Sequence, residues 1–268
     1  MGSTRNRGIE FHVDGDILKG GKVEWSSGVN YSYGTTELTV LSDDVFKASY
    51  VDLYAKPSVG SSEYFFRLQE GGTVGQFWGY EYAESQDGQM MIYTDTNEII
   101  PESEADDSYK RYIGNGAPTS FLSWSNTIRY KNFDLNVLFT GAFGFEIFNM
   151  RKYGMGLQGC GTDNVLREAY LSDSDVITGG GVISSYFLES GNYLKLDNLT
   201  LGYNFNLKSK IVDNLRIFLS AKNLHTFTKY TGNDPSIVPV TGLTPGIDLG
   251  SSYPEARQYT VGLSLNFK

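Results

Sequence analysis

Three aromatic side chains at alternate positions, Trp78, Tyr80 and Tyr82, are the residues of this sequence that best suit ligand contact. Aromatic rings can stack on the faces of sugars, or they can cover apolar surface of a partner protein. The three rings lie in a Gly-, Ser- and acid-rich region without a regular apolar period, so packing within a loop is the other interpretation. All three residues are therefore candidate contacts.

The other reactive groups do not form a catalytic or metal-binding pattern. The run 102–107 and the pair Asp173 and Asp175 offer carboxylates for Ca²⁺, but they lack the regular spacing of an EF-hand loop. Cys160 lies between two glycines without a nearby base, and catalysis by a thiolate needs one. Since the only histidines are His12 and His225, we predict no metal site, no cofactor and no enzymatic activity.

Composition narrows the class of protein. The chain has 31 acidic and 22 basic residues, a net charge of −9 over 268 residues, which excludes a basic nucleic-acid surface. No stretch approaches the roughly 18 to 20 apolar residues of a membrane-spanning helix. Aromatic residues make up 14% of the chain, and it holds 31 glycines but only 7 prolines. This balance favours strands and turns.

Alternation of apolar and polar residues with a period of two predicts seven antiparallel strands. Residues 215–221 illustrate the pattern, since leucines, an isoleucine and an alanine alternate there with polar or aromatic residues. The predicted strands lie near 6–17, 22–33, 119–130, 133–143, 193–205, 214–222 and 257–267. The predicted long loops are 34–117, 144–192 and 223–256, and short turns join the remaining strand ends.

Two architectures suit such a pattern: a transmembrane β-barrel and a soluble or surface β-sandwich that binds carbohydrate through Trp78, Tyr80 and Tyr82. Strands of about 10 to 12 residues, tilted by about 40°, cover an apolar band of about 25 Å. The strict alternation of short turns and long loops is typical of outer-membrane barrels. Aromatic residues also cluster near the strand ends, as in interfacial girdles. These features favour the barrel, and seven strands predict a fragment of a larger one.

Four segments resemble the SusC/RagA-type TonB-dependent outer-membrane transporters of the Bacteroidota. They are NRGIE at 6–10, NYLKLDNLTLGY at 192–203, the block 215–235 that contains KNLHTFTKYTGNDP, and YPEARQYTVGLSLNF at 253–267. The resemblance extends over nearly the whole chain and is weakest in 34–117 and 144–190. It implies an all-β, antiparallel transmembrane fold, with this chain as about seven C-terminal strands of a large plugged barrel of about 22 strands.

The same resemblance implies a location and partners. The transporter would lie in outer-membrane lipid, take energy through TonB, and import glycans or peptides with a SusD-like lipoprotein that covers the pore. Trp78, Tyr80 and Tyr82 would contact the substrate or that lipoprotein. The plug, the TonB-contacting segment, the earlier strands and any signal peptide would precede this chain. No nucleic acid is expected as a partner.

Two further expectations concern the strands. Glu10, Asp14, Asp16, Glu24 and Asp134 are predicted to face the lumen with Arg216 and Lys222, where they would contact water, the plug or a substrate path. The last strand alternates up to an aromatic end, which resembles the signal read by the barrel-assembly machinery. Gly262, Leu265 and Phe267 are the residues assigned to that signal.

Overall fold

The computed structural model describes residues 2–41, 48–53, 64–158, 164–170, 177–178, 181–207 and 211–268. In chain order its strands are β1 (Ser3–Leu18), β2 (Val23–Val40), β3 (Tyr50–Leu53), β4 (Phe66–Gln69), β5 (Gln76–Gly79), β6 (Tyr82–Gln86), β7 (Gln89–Tyr93), β8 (Ile99–Pro101), β9 (Arg111–Asn115), β10 (Ser120–Tyr130), β11 (Phe133–Phe143), β12 (Glu146–Asn149), β13 (Leu188–Ser190), β14 (Tyr193–Asn206), β15 (Val212–Thr228), β16 (Ile247–Asp248) and β17 (Gln258–Phe267). One α-helix, α1 (Met150–Met155), follows β12. Short 3-10 turns occupy Glu102–Glu104, Asp107–Tyr109, Arg167–Tyr170, Ser185–Phe187 and Pro235–Ile237. Among these residues no helix has the length and hydropathy needed to cross a bilayer.

Seven long strands form one antiparallel sheet, which we call the wall, in the order β1-β2-β10-β11-β14-β15-β17. The predicted all-β, antiparallel fold class is confirmed. The seven wall strands have the same order in the sheet as along the chain. Each wall strand therefore pairs with the wall strand that precedes it and with the one that follows it. One edge of β1 and one edge of β17 have no strand beside them among the described residues.

The register of the wall separates apolar from polar side chains into rows. One row crosses all seven strands through Leu18, Trp25, Ile128, Leu135, Leu201, Leu219 and Val261. The adjacent row contains Asp16, Ser26, Thr127, Asn136, Thr200, Ser220 and Thr260. It lies one residue along each strand except β1, where the register shifts between Asp16 and Leu18. Because successive side chains of a strand point to opposite faces, the wall has one apolar and one polar face.

No second sheet covers the apolar face in the described part of the chain. Leu219 is 51% exposed, Leu201 is 48% exposed and Val261 is 76% exposed. A sandwich would bury these side chains against an opposing sheet. The uncovered apolar face therefore argues against the sandwich alternative.

Two wall strands run further than the alternation alone indicates. β2 extends to Val40, and its far end pairs with Ser3–Arg7 of β1. β15 extends to Thr228 past an irregularity, where the register shifts between Leu196 and Asn198 and Asn223 adopts a φ of 55°. An extra residue of this kind interrupts the period of two. On the other side of β14, the extra residue Asp197 keeps Leu196 opposite Phe139, on the face that carries Leu199 and Val137.

The three long connections contain small sheets rather than continuous loop. Two of these sheets lie in the first connection, with the orders β3-β4-β5-β9 and β6-β7-β8, and a third has the order β13-β12-β16. Phe77 and Met90 from the first connection pack with Phe148 and Phe187 from the second and with Ile247 from the third. We call this assembly of the three connections the loop cap. Its core joins residues far apart in sequence.

Candidate functional site

The polar face of the wall carries an ion pair near the short turn between β10 and β11. Arg216 of β15 donates from Nε to Oδ1 of Asp134 at 3.0 Å and from Nη2 to Oδ2 at 2.5 Å. Asn204 of β14 donates to the same carboxylate at 2.9 Å. The pair passes over Gly202, where an added Cβ would lie 2.6 Å from both charged side chains. The alternation of the strands predicts that Asp134 and Arg216 share one face, and the structure brings the two side chains into direct contact.

The other lumen candidates lie apart from that pair. Asp16 accepts a hydrogen bond from Ser26 at 2.7 Å and pairs with Lys19 at 3.1 Å. Asp14 contacts His12 at 2.8 Å. Glu10 and Glu24 also lie on the polar face, where Glu24 is opposite Arg129 of β10. Lys222 is opposite Gln258 of β17. The acidic side chains therefore concentrate on β1 and β2.

Asn126 and Ser27, which are register partners, form a polar interruption within the apolar face. Trp25 donates from its indole nitrogen to the amide oxygen of Asn126 at 3.1 Å. Trp124 donates in the same way to the hydroxyl of Ser27 at 3.0 Å. The two indoles therefore satisfy the polar atoms that interrupt the apolar surface.

Trp78 is held by neighbours in the loop cap. The Arg67 guanidinium lies 4.0 Å from the Trp78 ring centroid, and the Tyr112 ring packs edge-on at 5.0 Å. Asp52 fixes Arg67 through hydrogen bonds of 2.6 and 2.9 Å. These bonds raise the pKa of the Arg67 guanidinium. Trp78 remains half-buried, so part of its surface is accessible.

Tyr80 and Tyr82 have different surroundings. Tyr80 is 4% exposed within the core of the loop cap, and its hydroxyl donates to Asp107 at 3.3 Å. Loop packing therefore accounts for Tyr80. Tyr82 is half-buried and packs against Tyr186 with ring centroids 4.9 Å apart. The three aromatic candidates do not share one surface.

Two of the carboxylates considered for calcium are used in local contacts. Asp106 accepts a hydrogen bond from the Ser108 amide at 2.9 Å, and Asp107 pairs with Lys110 at 2.8 Å. The Lys110 contact lowers the pKa of Asp107. Within the described ranges no group of three or more His, Cys, Asp or Glu residues is placed to hold a metal. Asp173, Asp175 and Cys160 lie outside the described residues.

A pocket of about 660 Å³ opens in the loop cap between the second and third connections. Its charged lining comprises Arg151, Lys152, Lys229 and Glu189, and Tyr186 forms part of its wall. These residues were not among the candidates indicated by the sequence. Arg151 and Lys229 are 78 positions apart (229 − 151), and no local spacing indicates that they meet.

Gly262, Leu265 and Phe267 lie on β17. The Phe218 ring of β15 covers Gly262 so closely that an added Cβ would lie 2.2 Å from it. Leu265 is opposite Leu215, and Phe267 is opposite Val212. Phe267 is 67% exposed. The three positions therefore contribute to the pairing of β15 with β17 and to the outer edge of the wall.

Comparison with known proteins identifies relatives along the entire sequence, although no protein-family model matches it. TonB-dependent receptor P3 of Formosa agariphila is 27% identical over 300 residues, an alignment that covers 100% of this chain and 29% of the relative. TonB-dependent receptor SusC of Bacteroides thetaiotaomicron is 26% identical over 283 residues, with coverage of 100% and 27%. The chain thus spans less than a third of the length of these relatives.

Solved structures show the same fold. A chain of the RagAB peptide transporter superimposes with a TM-score of 0.79 at 23% identity, covering 98% of this chain and 29% of that chain. The RagAB peptide importer in its closed-closed state gives a TM-score of 0.77 at 22% identity, covering 98% and 30%. The chain is therefore similar over its whole length to SusC and other TonB-dependent receptors, and it has the fold of a RagA-type barrel fragment.

Proposed function

We propose that this chain forms part of the wall and the external loops of a SusC-like TonB-dependent importer of oligomeric nutrients in the outer membrane. The observation that carries the proposal is the division of the wall into an apolar row and an adjacent polar row across all seven strands. Lipid would cover the exposed apolar side chains, and the polar row would face an aqueous or protein-filled interior.

Orientation follows from the connections. The short turns would lie in the periplasm and the loop cap outside the cell, as in other outer-membrane barrels. Phe133 and Tyr203 pack edge-on near the short turns with centroids 4.7 Å apart, and Phe205 packs against Tyr203 at 4.6 Å. Such a cluster suits the periplasmic interface, where amphipathic rings are favoured.

The open edges of the wall support its place in a larger barrel. Backbone groups at an unpaired strand edge have no hydrogen-bond partner within lipid, so a stable wall needs strands beside β1 and β17. The relatives are more than three times as long as this chain. We infer that the complete protein closes the barrel and supplies a plug and the contact with TonB.

The names of the relatives support a proposal about partners and substrate. RagAB is described as a peptide transporter, and SusC as a TonB-dependent receptor. A SusD-like lipoprotein, contacted by Trp78 and Tyr82, and a glycan or peptide substrate are the partners we propose. Gly262, Leu265 and Phe267 would be read by the barrel-assembly machinery. No catalytic role is assigned, since the relatives are receptors.

The proposal is tested on the complete protein in its own cell. Outer-membrane fractions should contain it as a heat-modifiable barrel, and deletion of its gene should abolish uptake of a labelled oligomer that the parent strain imports. Collapse of the proton gradient should have the same effect, because TonB supplies the energy. Recovery as a monodisperse protein without detergent, or unchanged uptake of every oligomer tested, would contradict the proposal.

A further inference from the structure

The pocket of the loop cap contains three cationic side chains without carboxylate partners. Within the described ranges, neither Arg151, Lys152 nor Lys229 lies within ion-pair distance of an acidic side chain. Arg151 donates to the amide oxygen of Asn233 at 2.9 Å. Lys229 is exposed at the rim. The whole chain has a net charge of −9, whereas the lining of this pocket has an excess of positive charge.

Lys152 is the most enclosed of the three cations. Its ammonium donates to the backbone carbonyl of Tyr186 at 2.7 Å and lies 4.0 Å from the centroid of the Tyr186 ring. Burial lowers the pKa of Lys152, and the more distant charge of Glu189 opposes that change. Because this ammonium is partly removed from water, a nearby negative charge would stabilise it more strongly than it would stabilise an exposed ammonium.

The only carboxylate in the pocket lining, Glu189, is engaged elsewhere. Asn149 donates to it at 2.9 Å, and the backbone amide and hydroxyl of Thr231 each donate at 2.8 Å. These neutral donors hold the carboxylate against the junction of β12 and the third connection. Counting side chains in the lining, the pocket has three positive charges and one negative charge.

The remaining lining suits a hydroxyl-rich ligand. The Ser190 hydroxyl lies in the lining, the Thr231 hydroxyl can still accept a hydrogen bond while it donates to Glu189, and Tyr186 offers an aromatic ring. Sugar rings combine hydroxyl groups with apolar faces, and both kinds of surface are met here. The volume of about 660 Å³ lies within the usual range of small-molecule sites.

We propose that this pocket binds a carboxylated sugar of an acidic oligosaccharide, with its carboxylate directed to Lys152 and Arg151 and Lys229 contributing at the rim. The inference rests on the proposed import function and names the substrate class that the loop cap would select. Tyr82, one of the three aromatic candidates, packs against Tyr186 of the pocket with ring centroids 4.9 Å apart.

Calorimetric titration of the complete transporter in detergent with trigalacturonate tests the proposal. Lys152→Gln should weaken binding at least about tenfold, because a charge-assisted contact is lost. Lys229→Gln, at an exposed position that folding tolerates, should weaken it by about threefold or more and reduce its salt dependence. The matched control is Lys110→Gln, which removes a cap cation that pairs with Asp107 and should leave affinity within about twofold.

Two further ligands, maltotriose and triglutamate, test whether the pocket requires both a carboxylate and a sugar ring. Maltotriose, which has no carboxylate, should bind at least about tenfold more weakly than trigalacturonate. Equal binding of the two, unchanged affinity in both pocket variants, or tighter binding of triglutamate would overturn the proposal. Heat-modifiability and uptake are measured on the same variants. A transporter that still imports a neutral oligomer but shows no carboxylate preference would refute the pocket assignment alone.

Discussion

At the level of single residues, an ion pair on the polar face depends on a glycine, Gly202, over which its two charged side chains meet. The bidentate contact between Arg216 and Asp134 spans β14 at Gly202, so a side chain at that position would separate the partners. A sequence pattern predicts the face on which Asp134 and Arg216 lie. It does not predict their contact, because they are 82 positions apart and the diagonal path depends on register.

Gly202→Ala should destabilise the folded barrel by about 1 to 3 kcal/mol, because the new methyl group would lie against both members of the ion pair. Gly15→Ala is the matched control, since its Cβ would have no neighbour within 4 Å. The midpoint of the heat-modifiability transition should fall for the first variant only. Equal midpoints for the two variants would contradict this account of Gly202.

Ile217→Arg should cost about 2 to 4 kcal/mol, since it places a charge on the apolar face that we assign to lipid. Ile217 is 38% exposed, so in water the same change would have little effect. Ser220→Arg, on the polar face of the same strand, serves as the comparison and should be much milder. Urea unfolding of the barrel in lipid vesicles measures both, and equal losses would refute the assigned faces.

At the level of elements, the sequence pattern predicts the seven wall strands, but it predicts neither their full lengths nor the short strands of the loop cap. Residues 34–40 of β2 lack an apolar alternation, and their pairing with the start of β1 is a long-range event. In β15 the irregularity at Asn223 hides the continuation to Thr228. Both cases arise because pairing with a neighbour, rather than local periodicity, fixes where a strand ends.

Phe267→Ala in the complete protein should reduce the amount of folded barrel in the outer membrane. The change removes an exposed aromatic side chain from β17 together with an anchor of the proposed assembly signal. Lys268→Ala, one position further, should have little effect. The measurement is heat-modifiable protein exposed at the surface per cell. Unchanged levels in the Phe267 variant would show that this end of β17 does not direct insertion.

At the level of the whole molecule, the wall and the loop cap are stabilised by different interactions. The wall buries little within itself, because both of its faces need an environment that other groups provide. The loop cap buries its own aromatic core, with Phe148 at the centre of contacts to Phe65 at 5.0 Å and to Phe187 at 5.8 Å. No periodic pattern of apolar residues in the sequence predicts that core, because its members come from three separate connections.

Phe148→Ala should cost the loop cap about 3 to 5 kcal/mol by leaving a cavity in that core, while the wall stays folded. Proteolysis of intact cells should therefore cut the cap of this variant sooner than that of the parent, with unchanged heat-modifiability. Tyr170→Ala, which alters a 64% exposed aromatic residue of the same connection, is the control and should leave the cutting rate unchanged. Simultaneous loss of cap and barrel would show that the two are one cooperative unit.

The shared core of the loop cap also bears on how such proteins diversify. Phe77, Phe187 and Ile247 belong to different connections and fill one interior, so a connection transplanted alone from a relative would bring side chains shaped for absent neighbours. Recombination that exchanges a single connection should consequently yield poorly formed caps, whereas exchange of all three together preserves the fit. New binding preferences would then spread between relatives as an inherited set of three segments rather than one segment at a time.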